Sequence, residues 1–206
     1  MEIDYHTFPS GKSYACINTV GGQKVFLRNI LFLHNSKNPK KIVLVHEFGK
    51  RTNKAAWEPP KGQMEWKEFA ATGVKRGSKM SAKTLEKYQR EGVLRELTEE
   101  AKILPEEIKD LHRLPYVYKQ AWPESHIPNA YFCYQYWKAT TTQEVLFEAQ
   151  KRLTILKEDK DLKAMLPADN SEKDDIKWWS PLNKRSWDDI YGDFSKKMTS
   201  LYFKVL

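Results

Sequence analysis

Cysteine is scarce in this chain: Cys16 and Cys133 are the two present among 206 residues. Two cysteines cannot build a disulfide framework, and they show no zinc-ligand spacing. Both sit in apolar or aromatic stretches, which predicts buried free thiols. Long apolar runs are also missing. The longest aliphatic-rich stretches, Ile30–Leu33 and Ile42–Val45, are far too short to span a bilayer, so no membrane partner is expected. Met1 to Ser10 has no apolar core, so no signal peptide is visible and a reduced, cytoplasmic location is the default expectation. The five histidines, His6, His34, His46, His112 and His126, form no ligand spacing. His46 ends an apolar strand and reads as a hydrogen-bonded structural residue. No phosphate-binding P-loop, dinucleotide fingerprint, Ser-His-Asp arrangement, internal repeat or low-complexity tract is present.

What the chain does have is aromatic and charged. Hydrophobic residues make up 40% and aromatics 13%, with seven Trp, enough for a proper core; wholesale disorder is excluded. The length suits a single domain over residues 1–206. Charged residues reach 30% and leave a net charge of +8. That excess favours an anionic partner, a phosphorylated small molecule, nucleic acid or a membrane surface, although surplus lysine is also a solubility device. Nothing points to an obligate protein partner.

Residues 13–33 read as β-strands broken at Gly21-Gly22, and Ile42–His46 as a further strand ending before Gly49. Asn35 to Lys40 reads as a polar turn. The prolines of Trp57-Glu58-Pro59-Pro60-Lys61-Gly62-Gln63 predict a rigid, non-helical segment. From Ser81 to Ile103, Leu85, Tyr88, Gly92, Val93, Leu97 and Ala101 form an apolar stripe at helical spacing, with Pro105 as the stop. Tyr116–Tyr118 and Tyr131–Trp137 are strand-like. A helix is expected around Glu144–Leu153, an acidic loop over Ala168–Asp175, a strand at Ile176–Trp179 and a terminal helix within Ser186–Val205. The pattern is mixed α/β.

The informative residues are Arg95-Glu96-Leu97-Thr98-Glu99-Glu100. On a helix, Glu96, Glu99 and Glu100 stand at i, i+3 and i+4 and share one face. Three like charges at that spacing destabilise an isolated helix, so something cationic should sit opposite them. Hard oxygen ligands of this kind suit Mg²⁺ or Mn²⁺, which binds a few carboxylates together with substrate phosphates. The plain alternative is a solvated acidic face.

Upstream, Gly62 is followed after five residues by Glu68, and residues 95–103 continue Arg-Glu-Leu-Thr-Glu-Glu-Ala-Lys-Ile. Together these segments resemble the Nudix box, Gly-x5-Glu-x7-Arg-Glu-U-x-Glu-Glu-x-Gly-U with U a bulky aliphatic residue. Glu65 also fits a common variant of it. Two departures stand out. Residues 69–94 number 26 where the pattern has seven, an insertion of 19, and Lys102 replaces the second glycine. The resemblance implies a Nudix fold, a mixed β-sheet sandwiched between helices, with the insertion at about 69–88 inside the box. It also implies metal-dependent hydrolysis of a nucleoside diphosphate linked to another group. The carbonyl of Gly62 and the carboxylates of Glu96 and Glu100 would hold metal, and Glu99 would be a further ligand or the base that activates water. Arg95 would face away from this cluster and pair with Glu68, tying loop to helix.

Substrate signals are thinner. Pro60-Lys61-Gly62 is similar to the versions in mRNA-decapping, dinucleoside-polyphosphate and some diphosphoinositol-polyphosphate hydrolases, and Lys61 would offer a point charge to an extra phosphate. Residues 71–83 carry Lys75, Arg76, Lys79 and Lys83 and no acid. A flexible basic loop joined to both halves of the box suits a polyphosphate tail or an RNA 5′ end; a solvated loop is the plain alternative. Trp57, Trp122, Tyr131 and Trp137 are candidates to stack on a base, although most strand aromatics are core. A non-catalytic nucleotide- or RNA-binding module of the same fold is the rival class, and such modules generally lose the carboxylates kept here.

Overall fold

The computed structural model describes residues 1–47, 56–123, 126–167, 170, 172–182 and 184–205. Gly49 and residues 168, 169 and 171 of the expected acidic loop lie outside them. The chain forms two compact units. One takes Met1–Ile30, Lys61–Leu94 and Arg113–Trp137; the other takes Leu31–Pro60, Arg95–His112 and Lys138–Leu206.

In the first unit, β1 (Glu2–Thr7) pairs antiparallel with β2 (Ser13–Asn18), and β2 with the start of β3 (Lys24–Asn35). Neither β1 nor the short helix α1 (Trp66–Ala70) carries a strong pattern in the sequence. The proline-rich segment is extended, as β6 (Lys61–Gln63) in this unit and β5 (Trp57–Glu58) in the second. In β6, Gly62 stands opposite Asn29 of β3. Alternation on these strands delivers Ile3, Ala15 and Leu27 to a core shared with Met64, Phe69, Met80, Leu85 and Tyr88. Leu85 and Tyr88 come from α2 (Ala82–Glu96), the expected helix, and the Tyr88 ring stacks on Phe69 at 4.6 Å. Gly92 of α2 lies against the Met64 sulfur and the Asn29 amide, an approach too close for a Cβ. The strands β7 (Lys109–Ala121) and β8 (Ala130–Thr141) pair with each other, and β8 pairs with β3.

The insertion is not the flexible loop expected from its composition. Gly77 donates its N–H to the Ile3 carbonyl, Ile3 to Ser78, and Met80 to Met1, so the segment lines the backbone of β1. Met80 enters the core, with Val74 packed against it. Buried apolar residues interleaved among the lysines outweigh the charge and hold the segment down.

In the second unit, β4 (Asn38–Glu47) pairs with β5 and with β9 (Lys173–Trp179), both antiparallel. Ile42, Val43, Leu44 and Val45 are fully buried, which is why that run reads as continuous apolar sequence rather than alternating. The expected polar turn shortens to two residues, because Asn35 Oδ1 accepts the N–H groups of Lys37 and Asn38, each at 2.9 Å. Helix α3 (Gln143–Glu158), capped by Thr142, covers β9: Gln150 donates to the Ile176 carbonyl at 2.9 Å. A short α4 (Lys160–Met165) follows, and α5 (Gly192–Val205) closes the chain with Tyr202 stacked on Phe32. Among the described residues, no helix is long and apolar enough to cross a membrane.

Candidate active site

The box helix ends in an unusual way. Regular α2 stops at Glu96, and Leu97–Ala101 continues as a wider π-helical turn with Leu97, Glu100 and Ala101 buried. Such turns replace i→i+4 bonds by i→i+5 bonds and rotate side chains away from the ideal α positions. The turn closes at Lys102, which takes the left-handed conformation with φ 54° and ψ 29°. This is the conformation for which glycine is favoured after a helix, so the backbone keeps the shape while the side chain differs. The Lys102 ammonium supplies the compensation. It donates to the Glu99 carbonyl at 2.6 Å and to the Asn170 carbonyl at 2.7 Å. The side chain at this position therefore reaches the turn that carries Glu99 and Glu100 directly. Burial holds this ammonium below its ordinary pKa, and the charges of Glu99 and Glu100 oppose the shift.

Helix α3 fixes the exit of the turn. Arg152 donates to the Lys102 carbonyl at 2.8 Å and forms a two-pronged pair with Glu107 at 2.6 and 2.7 Å. Glu107 in turn accepts the Leu104 N–H. The Arg152 hydrogen bonds lead in holding the Glu107 carboxyl below its usual range, against the effect of burial.

The glutamates meet cations from their own chain. Arg95 donates to Glu96 at 2.6 Å and to Glu99 at 2.5 Å. It therefore turns onto the cluster, where the resemblance implies that it faces away. Glu99 lies at i+4 from Arg95, a neighbour on the helix surface. On the other side stands Lys173 of β9, at 2.8 Å from Glu58 and 3.3 Å from Glu100. All three are nearly inaccessible: Lys173 and Glu58 have 4% of their side chains exposed and Glu100 has 7%. The Ser195 hydroxyl donates to Glu58 at 3.4 Å. Like-charge repulsion calls for a cation opposite the glutamates, but neither Glu58 nor Lys173 carries any signal for it in the sequence. Lys173 reaches Glu58 across 115 residues of chain, past a register shift between His46 and Glu47.

Arg95 thus meets Glu96 and Glu99, and Lys173 meets Glu58 and Glu100, while the Lys102 ammonium meets the Glu99 carbonyl. Burial pushes the Glu96 carboxyl up to about 8; Arg95 pulls it down, and Glu100 and Glu99 push it further up. Hard oxygen donors of this kind match Mg²⁺ or Mn²⁺ in type. Among the described residues, however, no three His, Cys, Asp or Glu side chains converge on a point that would hold a metal ion. The carboxylates are drawn apart, toward Arg95 on one side and Lys173 on the other.

The remaining candidates are dispersed. Trp57 packs against His46, with centroids 5.0 Å apart, and lies under Lys177 at 4.2 Å. His46 is held by Asp174 at 2.6 Å, in line with a structural histidine. Trp137 is fully buried and donates to Asn29, so it is core rather than a stacking platform. Trp122 stacks on Phe132, and Tyr131 lies under Lys119. Arg76, expected to meet substrate, pairs with buried Asp4 at 2.5 Å and ties the insertion to β1. Lys75 and Lys79 are exposed, Lys61 stands opposite Ile30 in β6, and Glu68 lies in α1. Cys16 is buried, as expected, and burial pushes its thiol up to about 12; Cys133, expected to be buried as well, is half-buried.

No protein-family model matches the chain, and no curated protein matches it. Among solved structures, it is similar to a NUDIX hydrolase from Nitrosomonas europaea at 12% identity and a TM-score of 0.46, over 88% of this chain and 90% of that one. A second structure of a NUDIX hydrolase from the same organism gives 12% identity and a TM-score of 0.45, over 98% and 85%.

Proposed function

We propose that the chain is a metal-dependent hydrolase of diphosphate bonds, built on a split Nudix box. The observation that carries this reading is the carboxylate cluster at the end of α2, where Glu96 and Glu99 are half-buried beside buried Glu100. A merely structural acidic face would be fully solvated; here Glu100 is buried and Glu96 and Glu99 are largely covered. Glu96, Glu99 and Glu100, with Glu58 beside them, would hold Mg²⁺ or Mn²⁺. Such an ion would supply neutralisation of the diphosphate and acidification of the attacking water. Lys102, Asn170 and Arg152 hold the turn, so the carboxylates are set by the backbone rather than by a mobile loop. Glu99 is a further ligand or the base.

The substrate we favour is an RNA 5′ end or another 5′-polyphosphate, with dinucleoside or diphosphoinositol polyphosphates as the alternative. Net charge and the exposed Lys75 and Lys79 support a highly phosphorylated partner. The test is turnover of capped RNA, dinucleoside polyphosphates and diphosphoinositol polyphosphates with and without Mg²⁺ or Mn²⁺. Glu99→Gln and Glu100→Gln should each lower turnover by on the order of 10²-fold while leaving the fold intact. Tight nucleotide binding with no turnover under any metal would instead make the chain a binding module.

A further inference from the structure

We propose that Arg28 anchors a binding site for the phosphates of a small polyphosphate compound, on the face of the first unit's sheet turned away from α1 and α2. The site goes beyond the hydrolase reading above and involves none of its carboxylates.

Alternation on β3 sends Leu27 to the core shared with Met64, Phe69 and Leu85, which is the face that α1 and α2 cover. Arg28, one residue on, lies on the other face and is half-buried there. It donates to the Tyr134 hydroxyl at 2.9 Å, and its guanidinium lies 4.4 Å over the centre of the Phe132 ring. Both supports are fixed: Tyr134 is 2% exposed and Phe132 8%, and Trp122 stacks on Phe132 at 4.1 Å. The cation therefore rests on a rigid aromatic base. What it lacks is an anion. Among the described residues, no carboxylate pairs with Arg28, and its covered Nε meets no acceptor. Arg76, Arg95, Arg113 and Arg152 each meet a carboxylate. A half-buried charge without a counter-ion is costly, and an external anion removes that cost.

The surroundings select the kind of anion. One guanidinium donor is taken by Tyr134; the remaining N–H groups form a planar fork that matches the paired oxygens of a phosphate. In the antiparallel pairing of β3 with β6, Gln63 stands directly opposite Arg28, and Lys61 opposite Ile30. Directly opposed residues share a face, so Gln63 and Lys61 lie on the face of Arg28, with Lys61 its diagonal neighbour at about 7–8 Å. Guanidinium, amide and ammonium in one row suit a chain of phosphates better than a single carboxylate. Because the aromatic base already holds Arg28, little ordering is left for the ligand to impose. All six residues belong to the first unit.

The probe is inorganic tripolyphosphate, titrated calorimetrically into the full chain with a chelator present to remove divalent metal. Arg28→Gln should weaken binding by on the order of 10-fold or more, as expected for lost hydrogen bonds to a charged group. Arg28→Lys should restore part of the affinity, because it returns the charge without the fork. Replacing the exposed Lys75 and Lys79 by Ser should change it little. In case the Arg28 variants fold poorly, the wild type gives a second readout. Modification by an arginine-selective dicarbonyl reagent, followed by mass spectrometry, should slow at Arg28 when tripolyphosphate is added and continue at exposed Arg90. Wild-type affinity in folded Arg28→Gln overturns the proposal, and so does unchanged labelling of Arg28 at saturating tripolyphosphate. An equal loss on replacing Lys75 and Lys79 also overturns it, since general surface charge would then hold the ligand. With metal chelated throughout, failure here leaves the hydrolase reading standing, and the absence of metal-dependent turnover leaves this site standing.

Discussion

Glu96 shows how a single side chain carries a stability cost that the rest of the molecule must absorb. Its carboxyl ordinarily titrates near 4.5 and is pushed up to about 8 by burial, against the pull of Arg95 and with the push of its neighbouring glutamates. Between those values the folded state binds more protons than the unfolded state. This group therefore reduces stability as pH rises from about 4.5 to 8. Glu96→Gln should raise the melting temperature of the metal-free protein at pH 8 and leave it nearly unchanged at pH 4.5. Equal shifts at both values would show that the carboxylate's charge is not the cause. Lys102 is the opposite case: a residue in a strained backbone position is kept there by two hydrogen bonds of its own ammonium group.

At the scale of elements, α2 and the insertion decide how the box is held. Gly92 lies on the buried stripe of α2, and an added Cβ would come within 2.8 Å of the Met64 sulfur and 3.3 Å of the Asn29 amide. Asn29 cannot easily yield, because it also bonds the Gln89 carbonyl and accepts from Trp137. Alanine would gain about 1 kcal/mol in helix propensity, whereas overpacking costs about 1–3 kcal/mol. Gly92→Ala should therefore lower stability in denaturant unfolding, with the helix retained by circular dichroism. For the insertion, the anchor is Arg76 on Asp4. Burial alone would raise the Asp4 carboxyl, but hydrogen bonds from Arg76, Asn18 and Tyr5 leave it below its ordinary value. That pair stabilises above the unfolded carboxylate pKa, and its contribution is lost as pH falls through the folded value. Arg76→Gln should move acid unfolding to higher pH and speed tryptic cleavage at Lys75 and Lys79. Unchanged cleavage would mean that the backbone bonds to β1 are sufficient alone.

For the molecule as a whole, the net charge of +8 bears on association more than on folding. If RNA 5′ ends or long polyphosphates are the substrates, binding should weaken steeply with salt as counterions are released. Replacing Lys75 and Lys79 by Ser should flatten the salt slope by roughly 0.7 for each phosphate of a single-stranded RNA that the lysines no longer neutralise, and raise KM for such substrates. Small nucleoside diphosphate compounds should be hydrolysed nearly as before. An unchanged salt slope would confine the role of the insertion to its packing on β1.

The local order of this chain was determined by its sequence. Apolar runs marked β3, β4, β8 and β9, the helical stripe marked α2, and Glu96, Glu99 and Glu100 were placed together because residues three and four apart on a helix are neighbours. Even the need for a cation opposite them followed from like-charge repulsion at that spacing. Which cation answers that need was decided by the tertiary structure alone. Arg95 bonds Glu96 and Glu99 where α2 passes into the π turn, and Lys173 arrives from a strand whose register on β4 shifts at His46. Glu58, legible in the sequence only as part of a proline-rich segment, becomes a member of the cluster through the same strand pairing. The insertion reads as a basic loop by composition, yet Val74, Met80 and the Arg76–Asp4 pair seat it on β1. Periodicity reports on neighbours within one element, whereas a buried ion pair depends on where elements distant in sequence come to rest, and that is set by the packing of the whole unit.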